Sequence, residues 1–107
     1  MQLDTPKTEF STPSQKDIEK IVEANLPKMQ KCYEAGLLKN PNLAGKVIVH
    51  FVLQATGKIS LIQVHETTLK DPMVESCLQF EVTKLHFPAF TKGSLDIYYP
   101  FIFRVKI

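Results

Sequence analysis

The sequence predicts an α+β domain with the element order helix, strand, strand, helix, strand. Three observations carry this. Two stretches place apolar residues at helical spacing, Ile18 to Leu37 and Val74 to Leu85. Between them, two alternating stretches flank Thr56-Gly57, a hairpin turn signal. The chain then ends in the longest alternation it contains, Leu95 to Ile107.

Residues 1–13 hold Pro6 and Pro13 among Thr, Ser and Lys with little apolar content, which reads as the end of a linker or a disordered tail. The folded domain is expected over residues 14–107. Ser14 is a good N-cap, and Asp17 three residues on completes a near capping box. The first helix then buries a stripe of Ile18, Val22, Asn25, Met29, Cys32 and Gly36, widened by Ile21, Tyr33 and Leu37. Pro27 lacks a donor and crowds the preceding turn, so it kinks this helix or starts a second segment. The helix ends before Asn40-Pro41, because a residue preceding proline avoids the helical basin.

Gly45 opens the first strand, with Val47, Val49, Phe51 and Leu53 on one face and Lys46, Ile48, His50, Val52 and Gln54 on the other. The second strand runs from Lys58 to Val64. Its apolar phase slips by one between Leu61 and Ile62, which reads as a β-bulge. Asp71-Pro72 supplies an N-cap and first helical residue. The helix that follows buries Val74, Leu78, Val82 and Leu85, with Cys77 beside the stripe. In the last strand Leu95, Ile97, Tyr99, Phe101, Phe103, Val105 and Ile107 share one face.

A helical crossover places the last strand beside the first, giving a three-stranded sheet of order 2-1-3 with two helices on one face. The second and third strands are then edges. Pro100 fits an edge, since it cannot donate to a ladder. Its nitrogen shares a direction with those of Tyr98 and Ile102; if that direction is outward, the sheet loses nothing. An unpaired edge invites association unless managed, and Pro100, Arg104 and Lys106 can manage it. The same edge can accept a peptide strand.

The length of 107 residues fits one domain with one core, and 44% hydrophobic content is ordinary for a globular chain. A net charge of +2 is too small to argue for nucleic acid. No apolar run is long enough to cross a bilayer. The N-terminus has no apolar signal region, so an extracytoplasmic reading implies a domain cut from a longer chain. Cys32 and Cys77 permit one disulfide, or two buried thiols that act as small hydrophobes; the residues alone leave both open.

Enzymatic signals are missing. His50, His65 and His86 with the two cysteines show no ligand spacing for zinc, and no cofactor or metal site is expected. His50 and His65 read as surface residues of the hairpin. Glu66, Asp71, Glu75 and Glu81 read as solvated positions, not an acid–base pair. No glycine-rich phosphate loop exists. Lys16, Lys20, Lys28, Lys31 and Lys39 form a solvent face balanced by Asp17, Glu19, Glu23 and Glu34. Tyr99, Phe101 and Phe103 alternate onto the apolar face and read as core instead of a base-stacking platform.

An ordered set of short pieces carries a family likeness: Cys32-Tyr33-Glu34, Asn40-Pro41-Asn42-Leu43-Ala44-Gly45-Lys46-Val47, Phe51, Gly57, Thr67-Thr68-Leu69, Cys77, Phe87-Pro88 and Tyr99-Pro100-Phe101-Ile102-Phe103. From about residue 18 onward the chain resembles the AgmX/PglI C-terminal domain family, TonB-like domains of proteins linked to gliding motility. It departs from the family pattern at Leu85, where an aromatic is common, and at Pro27. The resemblance implies a TonB-type fold and a Cys32–Cys77 pairing in an oxidising compartment. It further implies a periplasmic docking domain, tethered to the inner membrane in a longer protein and energised there by a proton-driven motor. Its partner would be a segment of an outer-membrane or periplasmic protein, with no nucleic acid. By the same likeness, docking falls on the edge formed by Leu95, Asp96, Ile97, Tyr98, Tyr99, Pro100, Phe101, Ile102 and Phe103. A homodimer through that edge is the alternative, and a small nucleic-acid module the third reading.

Overall fold

The computed structural model describes residues 13–105. The reading of residues 1–12 as a linker end, and the parts played by Lys106 and Ile107, lie outside them. The elements are α1 (Gln15–Ala24), α2 (Leu26–Leu37), β1 (Gly45–Gln54), β2 (Ile59–Thr67), α3 (Pro72–Thr83) and β3 (Ser94–Phe103). The strands form one antiparallel sheet of order β2-β1-β3.

The fold class and sheet order match expectation; the helix count does not. There are three helices, because the first predicted helix divides at Asn25. Ser14 caps α1 through the full capping box, its Oγ accepting from Asp17 N while its own N–H donates to Asp17 Oδ2. Asn25 ends α1, and its side-chain amide donates back to Ile21 O at 2.8 Å. Pro27 then lies in the first turn of α2, where a missing donor costs nothing. The apolar stripe survives the break: Ile18, Val22, Met29, Cys32, Tyr33 and Gly36 are all buried. Asp71 Oδ1 caps α3 by accepting from Met73 N and Val74 N, and α3 buries Val74, Leu78 and Val82.

The core lies between the helices and one face of the sheet. Val47, Val49, Phe51 and Leu53 of β1 are wholly inaccessible, and Phe101 and Phe103 of β3 are buried beside them. The loop after α3 contributes Phe87 and Phe90, two core residues that periodicity does not flag. Gly57 sits at φ +90 in the β1–β2 turn, and any side chain there would strike the backbone oxygen of Phe87.

Cys32 of α2 and Cys77 of α3 form a disulfide with Cα atoms 5.7 Å apart. Gly36, one turn along α2, permits this approach: an added Cβ would lie 2.7 Å from Val74 Cγ2 and 2.8 Å from Leu43 Cδ2. By loop-closure entropy the bond is worth about 4 kcal/mol against the unfolded chain.

Two strand details correct the sequence reading. β2 runs on past Val64 to Thr67. Leu61 and Ile62, where the apolar phase places the bulge, pair regularly with Val52 and Phe51, and the two irregularities lie at Ser60 and His65. This keeps Ile59, Ile62 and Val64 all on the core side despite their uneven spacing. β3 stops at Phe103, and Val105 is exposed instead of continuing the apolar face.

Candidate functional site

The expected docking residues, Leu95 to Phe103, all fall on β3, which pairs with β1 without a break from Gly45↔Phe103 to Gln54↔Ser94. The direction of each backbone group follows from β1. Gln54 N donates to Lys58 O, and Lys46 O accepts from Thr68 N and Leu69 N. Even-numbered residues of β1 therefore turn their backbone groups toward β2, and odd-numbered ones toward β3. The pairs Phe51↔Ile97, Val49↔Tyr99 and Val47↔Phe101 are thus the hydrogen-bonded ones. Asp96, Tyr98, Pro100 and Ile102 direct their backbone groups outward. Pro100 lacks only a donor that this sheet has no use for, so the ladder to β1 stays intact.

Nothing in the sheet of the described residues pairs with that outer side. A trough runs along it instead, between β3 and the first two helices. One part, of about 690 Å³, is lined by Ile18, Glu19 and Glu23 of α1 and by Leu95 to Pro100. The other, of about 350 Å³, is lined by Leu26, Pro27, Met29 and Gln30 of α2 and by Tyr99 to Phe103. Tyr99 and Pro100 belong to both. Tyr99 was expected in the core with Phe101 and Phe103, yet it is only half-buried, because it floors this trough. Burial pushes the Tyr99 hydroxyl above its usual pKa, and the carboxylates of Glu23 and Glu19 add to that.

Among the described residues no helix covers the other face of the sheet, and its centre departs from expectation. His50 is not a surface residue: it is 8% exposed. Its Nε2 pairs with Asp96 Oδ1 at 2.8 Å, and Gln63 Nε2 donates to its Nδ1 at 3.2 Å. Tyr98 stacks on the ring at 4.3 Å, and His65 meets the same tyrosine edge-on at 4.9 Å. His50↔Tyr98 is a non-hydrogen-bonded pair, the kind that brings facing side chains closest. A central strand is covered from both sides, so a middle position on β1 is buried even on an open face. The 2-1-3 order together with the shared parity of His50, Asp96 and Tyr98 is the signal that finds this cluster. His50 thus fixes the outward-facing edge residues Asp96 and Tyr98 from beneath.

Other candidate groups fall elsewhere. Glu75 is half-buried and not merely solvated: its Oε2 accepts from Thr67 Oγ1 and from Asp71 N. Glu81 is half-buried too, with one oxygen paired to Lys84 Nζ at 3.3 Å. His86 is exposed after α3, far in sequence from the other two histidines. Among the described residues, no group of three or more His, Cys, Asp or Glu is placed to hold a metal ion. Lys16 and Lys20 of α1 and Lys28 and Lys31 of α2 are exposed, as is Lys39, which lies in the turn beyond α2. Comparison with protein-family models, with curated proteins and with solved structures gave no match.

Proposed function

We propose that this domain is a docking module of the TonB-like kind, working in the periplasm, that takes an extended segment of a partner protein as an added strand along β3. The observation that carries the reading is the outer side of β3: Asp96, Tyr98 and Ile102 present donors that no strand among the described residues pairs, flanked by a trough wide enough for side chains. The Cys32–Cys77 bond is compatible with an oxidising compartment. The resemblance to the AgmX/PglI C-terminal domains supplies the rest: a tether to the inner membrane, a proton-driven motor behind it, an outer-membrane or periplasmic partner, and a role in an envelope machine such as one for gliding motility. The domain transmits force and catalyses no reaction in this reading.

Pro100 weighs against the alternative, a dimer through the same edge. Two copies pairing about a two-fold axis bring two prolines into the new ladder, and each leaves a carbonyl unpaired at a cost of about 1–3 kcal/mol when buried. A foreign strand meets that gap once. The test is peptide selection from a random display library on the oxidised domain, followed by amide-shift mapping. Shifts centred on residues 95–103 are expected. Shifts confined to α1's exposed face, or a dimer across the micromolar range by sedimentation with no peptide effect, would defeat the reading.

A further inference from the structure

The two parts of the trough differ in chemistry, and the difference specifies what a bound strand must carry. Beside Ile97 and Tyr99 the wall is α1, which contributes Glu19 and Glu23; among the described residues no lysine or arginine lines this part. Beside Phe101 and Phe103 the wall is α2, which contributes Leu26, Pro27, Met29 and Gln30 and no charge. Glu19 and Glu23 line the same part of the trough as Tyr99, whose hydroxyl pKa is raised first by burial and then by these two carboxylates. Side chains of an added strand alternate, so every second one faces the helices. The position beside Ile97 and the position beside Phe101 are both helix-facing, about four residues or 13 Å apart.

We infer that the partner segment is a β-strand bearing a lysine or arginine and a large aliphatic residue on the same face, about four positions apart, the cation set against Glu19 and Glu23 and the aliphatic group against Leu26 and Met29. This rests on the docking proposal and sharpens it. A second copy of β3 does not fit. Its own helix-facing residues are Leu95, Ile97, Tyr99, Phe101 and Phe103, which offer no cation to the acidic wall. The opposite face of the added strand meets the exposed Asp96, Tyr98, Pro100 and Ile102, where the Asp96 carboxylate is already paired with His50.

The experiment uses synthetic extended peptides of alternating Thr and Val, with Lys and Leu at the stated spacing, titrated into the oxidised domain with amide shifts and affinity recorded together. Replacing the peptide's Lys by Glu is expected to weaken binding about fivefold or more, since an attraction becomes a repulsion at a partly exposed site. That preference should shrink on raising the salt concentration. It should also collapse in the Glu19→Gln, Glu23→Gln double variant, whose substitutions are isosteric and at the helix surface. Replacing the peptide's Leu by Asn should weaken binding about fivefold through lost apolar burial. If Lys and Glu peptides bind equally while shifting residues 95–103, the partner chemistry inferred here is wrong and docking along β3 stands. If neither peptide shifts those residues at any concentration, both fall.

Discussion

The sheet has two outer edges, and they are built differently. β2 is interrupted twice, at Ser60 and at His65, and each interruption changes which residues face outward. β3 keeps one register along its whole length, with a single missing donor at Pro100. An incoming strand finds no continuous ladder on β2 and a nearly complete one on β3. The packing differs as well. β2 offers the core three half-buried aliphatic residues, Ile59, Ile62 and Val64, while β3 ends in the buried rings of Phe101 and Phe103. Phe103 stacks on Tyr33 of α2 at 4.7 Å. The regular edge is thus also the better anchored one.

The sharpest way to break this contrast is to remove what ties its two sides together. The disulfide joins α2, whose Tyr33 stacks on Phe103 of β3, to α3, which lies against β2. Cys32→Ser with Cys77→Ser is expected to lower stability by about 4 kcal/mol, less any strain released. Urea unfolding with and without reductant measures it, and reductant should have no further effect on the double variant.

Next in size is the packing contrast itself. Phe101→Ala should cost about 3–4 kcal/mol and Ile62→Ala about 1–2 kcal/mol, because the first empties a buried site and the second a half-buried one. Equal losses in urea midpoint would show that the two edges are anchored alike.

A proline pair tests the backbone directions. Tyr99→Pro removes an inward donor and should cost about 2–3 kcal/mol. Ile102→Pro removes an outward donor from a residue that is 60% exposed, and should stay within about 1 kcal/mol. The readout is unfolding stability together with peptide affinity. Ile102→Pro is expected to impair binding while sparing the fold, and the reverse result would invert the assignment of the edge.

The smallest effect separates α1 from both edges. The Ser14 N–H, and then its side chain, hold the Asp17 carboxyl below its ordinary value of 3.8. The capping contribution is therefore complete above that value and lost as pH falls through the lower native one. Hydrogen exchange should show the first turn of α1 loosening in acid while the amides of Ile97 and Tyr99, bonded within the sheet, stay protected.

Much of this architecture was legible in the residues, because the signals were local. Ser14 and Asp71 announced helix starts, the alternation from Leu95 to Phe103 announced a strand, and Pro100 marked an edge. The helix break was half legible: Pro27 pointed to it, but Asn25, which ends α1, is an ordinary mid-stripe residue by periodicity. The bulge at His65 was hidden because Val64 and Thr67 fit either phase. Phe87 and Phe90 carry no periodic signal of burial, since no period extends past a helix end. His50 was misread for a different reason. Its burial comes from Asp96, some 46 positions away, and from Gln63 and Tyr98, so it depends on tertiary neighbours and not on β1 alone. The trough was invisible in the same sense, since its walls come from α1 and α2 and its floor from β3.

The Cys32–Cys77 bond has a mechanical corollary. If tension enters ahead of α1 and leaves through a strand held on β3, the load runs along the chain from residue 13 toward residue 94. The crosslink shunts the 45-residue stretch between the sulfurs out of that path. An oxidised domain pulled to rupture therefore pays out about 150 Å less contour than a reduced one. Whatever happens to the helices under load, β1, β2 and the hairpin between them are shielded from being unspooled end to end. A tether built this way stays short, and a short tether delivers a pull promptly.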